Sequence, residues 1–288
     1  MADAGVSVVI PCYNAAETLD RQLAALAGQQ WQGDWEVIVA DNGSTDETAA
    51  SAEKWADRLP ALVVVSADRC QGASAARNDG ARSARYDLIA FVDADDEVMP
   101  GWLAAIAERG RTAPFFAATQ MPVVLDEHAW AARPTSDPKP IFADEGFLDA
   151  EGAGLLVCRR EVFDAVGGFD EQMVAAEDTA FCFSAQLCGY TLGRAPEAVI
   201  KVYPRENLRR AARQQFVWGY GAAQLYRRFA SQGMPRSPIW RVLLGWAAVA
   251  GMAPAALVNA KVRSWWIGAA SRRAGRLVGS VRERVFYL

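Results

Sequence analysis

Short apolar runs alternate with stretches of helical period through the N-terminal third of the chain. Val6-Ser7-Val8-Val9-Ile10 reads as a buried strand ended by Pro11, which lacks a ladder donor. Asn14 and Glu17 have capping-box spacing, and Leu19, Leu23 and Leu26 then recur at helical intervals until Gly33. Glu36 to Ala40 is a second strand and Asp41-Asn42-Gly43-Ser44 a turn. Ser44 and Glu47 form another capping box for a helix to about Leu59. A third strand, Ala61 to Val65, precedes a Gly/Ala-rich helix from Ala73 to Ser83. Leu88 to Val92 is then apolar without alternation, the mark of a strand buried on both faces. Strands alternating with helices predict an α/β fold with a parallel, doubly wound sheet.

Past Glu108 the pattern weakens. Phe115-Phe116-Ala117 reads as a strand, and Arg133 to Glu145, carrying Pro134, Pro138 and Pro140, as a loop that is either a lid or an inert insertion. Glu151-Gly152-Ala153-Gly154 precedes the strand Leu155-Leu156-Val157, where glycines let substrate approach the backbone. Arg159 to Val166 forms a short helix closed by Gly167-Gly168. Glu177-Asp178 opens the next helix, with Phe181, Ala185 and Leu187-Cys188 as its inner face.

Candidate chemistry begins where the buried run ends, in Asp93, Asp95, Asp96 and Glu97. Acids this close repel unless a cation sits among them, and open α/β sheets bind ligands beyond the carboxyl ends of their strands. Oxygen ligands without histidine or cysteine favour Mg²⁺ or Mn²⁺, which keep positions open for substrate phosphates. The plain alternative is a solvated acidic turn capping a helix that begins near Met99. A zinc site is disfavoured by a single histidine, His128, which lies beside Trp130 and reads as a surface or packing residue, and by five cysteines without CxxC pairing. Scattered thiols suit a reducing compartment, and a first strand at Val6 leaves no room for a secretory leader, so a cytoplasmic location is expected.

Charge divides the chain more sharply than its net −4 suggests. Residues 200–288 carry 16 Lys+Arg against Glu206 and Glu283, while residues 1–199 are strongly acidic. Such asymmetry points to an acidic partner for the C-terminal part. The positions between Val242 and Ala260 hold 19 residues without charge, flanked by Arg241 and by Lys261 and Arg263, with Trp246, Trp265 and Trp266 nearby. A helix of that length is borderline for crossing a bilayer. Tryptophan beside arginine favours lipid headgroups. Peripheral membrane attachment, packing on the rest of the protein and true insertion all stay open. Nucleic acid is disfavoured as a partner by the acidic first part.

A dinucleotide-binding domain requires G-x-G-x-x-G after strand one, where this chain reads PCYNAAET. Instead SVVIPCYNAAETL, VIVADNGSTDET, GASAARNDGARSARYDLIAFVDADD and GGFDE followed by AEDTAFCFSAQLCGY resemble, in order and spacing, the blocks of family 2 glycosyltransferases of GT-A fold. The match spans roughly residues 6 to 200.

The resemblance implies a GT-A type doubly wound, mostly parallel sheet flanked by helices. Residues 1–205 would be catalytic, with 1–110 as the nucleotide-sugar half and 111–205 as the acceptor half. Outside the match lies a basic, Trp-rich helical extension, 206–288, whose Trp and Arg content makes a membrane surface an expected partner. Pro11, Tyr13 and Asn14 would line the base pocket, Asp41 and Asn42 would bond the base, and Arg77 would lie near the donor diphosphate, with Asn78 making a structural bond to a turn. The acidic run becomes a DxD motif. Asp93 would contact the ribose or a metal-bound water and Asp95 the Mn²⁺ or Mg²⁺, with Asp96 able to take either role. Asp178 would be the general base and Glu177 would orient the site. One base and no nucleophile implies transfer from a nucleotide-diphosphate sugar to an acceptor hydroxyl, lipid-linked or on a cell-envelope glycan, with inversion.

Two departures stand out. Asn42 replaces a commonly acidic position, and IKVYPRENL lacks the histidine many relatives place near the metal, leaving Tyr203 or Arg205 there. A non-catalytic assembly protein of the same fold is the rival class. A nucleotide-sugar-making enzyme would carry a glycine-rich, lysine-containing loop after strand one, which is missing here.

Overall fold

The computed structural model describes residues 5–123, 147–203 and 208–288. The proline-bearing stretch 133–145, His128, Trp130 and Arg205 lie outside the described residues. In chain order the first elements are β1 (Val6–Cys12), α1 (Leu19–Ala27), β2 (Trp35–Asp41), α2 (Thr48–Glu53), β3 (Leu62–Ser66), α3 (Ala73–Ser83) and β4 (Leu88–Phe91). Then come β5 (Glu97–Val98), α4 (Trp102–Gly110), β6 (Phe115–Pro122), β7 (Leu156–Arg159), α5 (Arg160–Val166), α6 (Glu177–Leu187) and β8 (Gly193–Val202). Three helices close the chain: α7 (Leu208–Phe229), α8 (Ile239–Val258) and α9 (Ala260–Arg282).

The eight strands form one sheet, ordered β3-β2-β1-β4-β7-β6-β8-β5. Strands β3, β2, β1 and β4 run parallel, and β6 runs parallel to β8. Strand β7 lies antiparallel between β4 and β6, and β5 is antiparallel to β8, so the sheet is mixed. After β1 the chain builds outward to β3 and returns on the other flank of β1 as β4. That reversal is a topological switch point, where open sheets leave a crevice beyond their carboxyl ends.

Two compact units divide the chain. The first comprises Met1–Val123, Asp149–Glu171 and Phe181–Tyr203, and the second Val124–Leu148, Gln172–Ala180 and Pro204–Leu288. In the first unit β1, β2 and β4 are buried almost without exception, as their mainly apolar runs suit, with Ser7 and Glu36 the buried polar members. Phe91 meets Phe169 edge-on at 5.1 Å, and Phe169 stacks on Phe181 at 4.7 Å, forming an aromatic floor behind the carboxyl end of β4. Asn78, buried on α3, bonds the Phe169 backbone twice: its amide donates to the carbonyl and its Oδ1 accepts from the N–H, each at 2.8 Å. This fastens the Gly167-Gly168 turn, whose positive φ angles (83° and 81°) suit glycine.

Several local expectations are corrected. Pro11 does not end β1, which continues to Cys12 against Asp41. The carbonyl of Val9 accepts from Val92 toward β4 and that of Cys12 from Asn42 toward β2. Pro11 therefore faces the β4 side beyond the last β1–β4 pair, Val9 with Phe91, and forfeits no ladder bond.

Neither capping box forms. Helix α1 starts after Thr18 and α2 after Glu47, both without side-chain caps, because Asn14 and Ser44 bond across loops instead. Helix α2 ends at Glu53, and α4 starts only at Trp102, since Glu97-Val98 pairs with β8. On α6, Phe181 and Ala185 are buried, but Leu187 is exposed, as is Cys188 just beyond the helix end.

In the second unit α7 and α9 approach at backbone distance. A Cβ on Gly219 would stand 1.9 Å from the Arg272 carbonyl oxygen, and one on Gly275 1.9 Å from that of Phe216. The contact face of α7 is accordingly small: Gly219, Ala222 and Ala223 are buried, whereas Leu208 is exposed.

Candidate active site

The loops after β1, β2 and β4 leave the sheet at one edge, and they carry most of the residues the sequence singles out. Asn14, with a left-handed backbone (φ 51°), joins the first two loops. Its N–H donates to Ser44 Oγ at 2.9 Å and its Oδ1 accepts from the Thr45 N–H at 2.8 Å. Ala15 and Ala16 N–H groups donate to Thr48 Oγ1 and Asp46 Oδ2, completing the bridge. Asp41, at the end of β2, accepts from the N–H and hydroxyl of Ser44, both on Oδ1. Tyr13 is exposed and Pro11 half-buried beside this edge.

Asn42 is buried and fully engaged. Its amide donates to the carbonyls of Ala67 and Cys70, and its Oδ1 accepts from the Gly72 N–H at 2.7 Å. A carboxylate here could accept from Gly72 but could donate to neither carbonyl. The amide is thus suited to pinning the 67–72 loop, a use of Asn42 that no local sequence pattern indicates.

Beyond β4, Asp93, Asp95 and Asp96 bring one carboxylate oxygen each to within 4.8 Å of one another. Burial first, then the charges of Asp93 and Asp95, push the Asp96 carboxyl up to about 8, while the Tyr203 backbone N–H opposes that shift. Arg77, buried on α3, donates to Asp93 Oδ1 at 2.8 Å, with its guanidinium 5.6 Å over the Phe169 ring. Arg77 therefore meets the acidic cluster at its ion-paired corner. Gly154 leaves the space that Asp93 occupies: a Cβ there would lie 2.7 Å from Asp93 Oδ2.

Arg21 was not foreseen, because on the polar side of α1 it looks like any surface arginine. It donates to the Asp95 carbonyl and lies 3.7 Å over the Tyr203 ring. The Tyr203 hydroxyl donates to Glu97 Oε2 at 2.6 Å. Tyr203 and Arg21 thus buttress the backbone of the acidic loop. Glu97, the fourth acid of the run, points into this buttress and is held below the usual carboxylate range mainly by the Tyr203 hydroxyl.

Glu177 and Asp178 form the first turn of α6 and belong to the second unit. The Asp178 Oδ1 accepts from the Thr179 N–H at 2.6 Å. Ala176, just before them, has a left-handed backbone (φ 63°), a strained setting for a residue with a Cβ.

Residues 7–166 match the family model for glycosyl transferase family 2, and residues 152–271 match that for glycosyl transferase family group 2. The chain is 28% identical over 225 residues to glycosyltransferase AglE of Haloferax volcanii, covering 77% of this chain and 74% of that one. It is 26% identical over 250 residues to the pre-mycofactocin glycosyltransferase of Mycobacterium tuberculosis, covering 84% of this chain but only 52% of the relative's length. Among solved structures it superimposes on the mannosyltransferase PcManGT from Pyrobaculum calidifontis, in complex with GDP-Man and Mn²⁺, with TM-score 0.70 and 20% identity over 95% of this chain and 86% of that one. S. aureus TarS 1-349 in complex with UDP aligns over 99% of this chain and 93% of that one, with TM-score 0.54 and 19% identity.

A mixed sheet of this order, with flanking helices and acids beyond β4, is a glycosyltransferase fold of GT-A type. The chain belongs to glycosyl transferase family 2 and is a transferase enzyme.

Proposed function

We propose that the protein is an inverting, metal-dependent transferase that moves a sugar from a nucleoside-diphosphate donor to an acceptor hydroxyl at the cytoplasmic face of a membrane. The observation that carries this reading is the convergence of Asp93, Asp95 and Asp96 beyond β4, with Arg77 engaged at their edge. The trio contains oxygen donors alone, which suits a hard divalent ion, so these three residues would hold Mn²⁺ or Mg²⁺. When bound, such an ion supplies neutralisation of the charge that develops on the departing diphosphate.

The chain's own residues do the rest. Tyr13 offers a flat face to the base within a pocket lined by Pro11 and Asn14, and Asp41 accepts hydrogen bonds from the base. Asn42 acts one step away by holding the 67–72 loop. Arg77, a planar fork already stacked on Phe169, is suited to phosphate oxygens. Asp178 takes the proton of the acceptor hydroxyl as its oxygen bonds to the anomeric carbon. The bond from that carbon to the diphosphate breaks on the opposite face, which inverts configuration. The Thr179 N–H, in the first turn of α6, favours the Asp178 anion, and Glu177 orients it. Cys12 is no rival nucleophile, because burial foremost raises its thiol well above the usual range.

Support for the membrane face comes from α8, whose apolar window has a mean hydropathy of 1.6 and is only 11% buried. An acceptor carried by a lipid or a cell-envelope glycan would be met there. Asp178→Asn tests the reading: transfer should fall about 10²–10⁴-fold while donor-dependent thermal stabilisation in Mn²⁺ persists. Near-normal turnover, or a product that keeps the donor's anomeric configuration, would contradict it.

A further inference from the structure

The segment that leads into Asp178 belongs to the same unit as α7, and α7 grips it at two points. Gly221 is buried against it. A Cβ there would stand 2.6 Å from the Ala175 carbonyl oxygen and 3.0 Å from the Ala175 Cβ, so the two backbones meet at a distance that a side chain would forbid. Gln224, three residues on and therefore on the same face of α7, accepts from the Val174 N–H with its Oε1 at 2.9 Å.

The other end of the Gln224 amide is engaged as well. Its side chain bonds Glu283, at the carboxyl end of α9. A carboxylate accepts and cannot donate, so the amide N–H faces Glu283 and Oε1 is left for Val174. Glu283 in turn accepts from the Tyr220 hydroxyl at 3.1 Å and from Arg227 at 2.7 Å, both on α7. Gln224 thus joins the tie between α7 and α9 to the segment that carries the acid pair.

Between Val174 and Asp178 the backbone has little room to adjust. Ala175 and Ala176 are buried, and Ala176 holds its left-handed φ of 63°. A residue with a Cβ keeps such a conformation only where its surroundings impose it. The Ala176 carbonyl accepts from the Ala180 N–H at 2.9 Å, so the strained residue sets where α6 begins and which way its first turn points. Asp178 lies in that turn.

Resting on the reading of Asp178 as general base, we propose that Gln224 and Gly221 are positioning residues for the reaction: through the Val174–Ala176 backbone, α7 fixes the direction of the Asp178 carboxylate. Helix α7 is then a working part of the catalytic apparatus and not only an extension beyond it.

Two substitutions at one position, made in the full chain, separate this role from a purely structural one. Gln224→Lys can donate to Glu283 but cannot accept from Val174, whereas Gln224→Glu can accept from Val174 but repels Glu283. The Lys variant should melt close to the wild type. Its backbone hydrogens in residues 174–180 should exchange with solvent at least about tenfold faster, since the segment has lost its anchor. It should turn over about tenfold to a hundredfold more slowly, as misplacement of a catalytic group implies. Turnover is read as nucleotide released from GDP-mannose or UDP-N-acetylglucosamine in Mn²⁺ with water as acceptor; the exchange measurement needs no substrate. Gln224→Glu, the conservative variant, should melt lower yet recover most of the wild-type turnover per folded molecule and the slow exchange of 174–180. Stabilisation by GDP or UDP with Mn²⁺ should be alike in all three proteins, which places the loss in turnover and not in donor binding. If Gln224→Glu does not fold, the Lys variant and the wild type decide the matter between them. Wild-type exchange and turnover in Gln224→Lys, or turnover that falls in both variants in step with melting temperature, would overturn the positioning role. Wild-type turnover in Gln224→Lys beside an inactive Asp178→Asn would overturn it while leaving the base reading standing. Near-normal turnover in Asp178→Asn would overturn the base reading and this role with it.

Discussion

The sheet of the first unit carries acids at both ends, and the two ends treat them in opposite ways. Near the amino ends of β1 and β2, Glu36 is buried and saturated. One oxygen accepts from the Ser7 hydroxyl (2.6 Å) and the Arg85 N–H, and the other from Arg85 Nε at 2.8 Å. Ser7 Oγ in turn accepts from the Tyr86 N–H. Every partner is supplied by the fold, which is what a structural carboxylate needs. At the carboxyl end of β4 three carboxylates crowd together, with Arg77 paired to Asp93 at 2.8 Å. A charge the chain satisfies belongs to stability; charges it concentrates call for a ligand.

The sharpest way to break this contrast is to remove one acid from the crowded end. Asp95→Asn should lower transfer at least about a thousandfold, as loss of a metal ligand at the reacting diphosphate implies. Its melting temperature should hold or rise, because a like charge is gone. A large drop in both would make Asp95 structural. Gly154→Ala acts on the same end less directly, by driving a methyl against Asp93 Oδ2. Transfer should fall roughly tenfold to a hundredfold, by displacement of a group at the chemistry, with the fall residing in donor affinity and turnover together. Unchanged kinetics would mean that Asp93 moves without consequence.

At the saturated end the expectation reverses. Ser7→Ala removes one donor from a buried carboxylate and should cost about 1–3 kcal/mol of stability, read by chemical denaturation. Turnover per folded molecule should stay the same; a catalytic defect would undo the contrast. The smallest effect concerns Glu171, which bonds Arg69 at 2.7 Å and Asn78 at 2.9 Å. The Arg69 hydrogen bond first, then that of Asn78, hold its carboxyl below the ordinary glutamate value. Its contribution is therefore present above the unfolded-state value near 4.3 and is lost as pH falls through the lower folded value. Glu171→Gln should lower stability slightly at neutral pH and leave it nearly unchanged in acid, flattening the acid side of the profile; an unchanged slope below pH ~4 would refute this.

How much of this was legible from residues alone follows from which interactions are local. The strands β1, β2 and β4 announce themselves as β-branched and aromatic runs because both faces are buried. Asp93, Asp95 and Asp96 are adjacent in sequence, so their convergence needs no tertiary knowledge.

The capping boxes failed for the complementary reason. Asn14 and Ser44 have the right spacing for helix starts, but each finds a partner about 30 residues away in the neighbouring loop. Glu97-Val98 is too short to read as a strand and exists only because β8 runs past it. Arg21 and Tyr203, far apart in the chain, meet only in three dimensions. The seam between α7 and α9 is set by glycines, which no apolar periodicity reveals, since the two helices approach to backbone contact.

The central claim is that Asp93, Asp95 and Asp96 grip a divalent ion together with the donor's diphosphate. Calorimetric titration of Mn²⁺ into the full chain, with and without GDP or UDP, tests it most directly. A single Mn²⁺ should bind, more tightly when the nucleotide is present, and both the binding and its dependence on nucleotide should vanish in Asp95→Asn. Equal Mn²⁺ binding by wild type and Asp95→Asn, or nucleotide binding indifferent to the ion, would contradict the account.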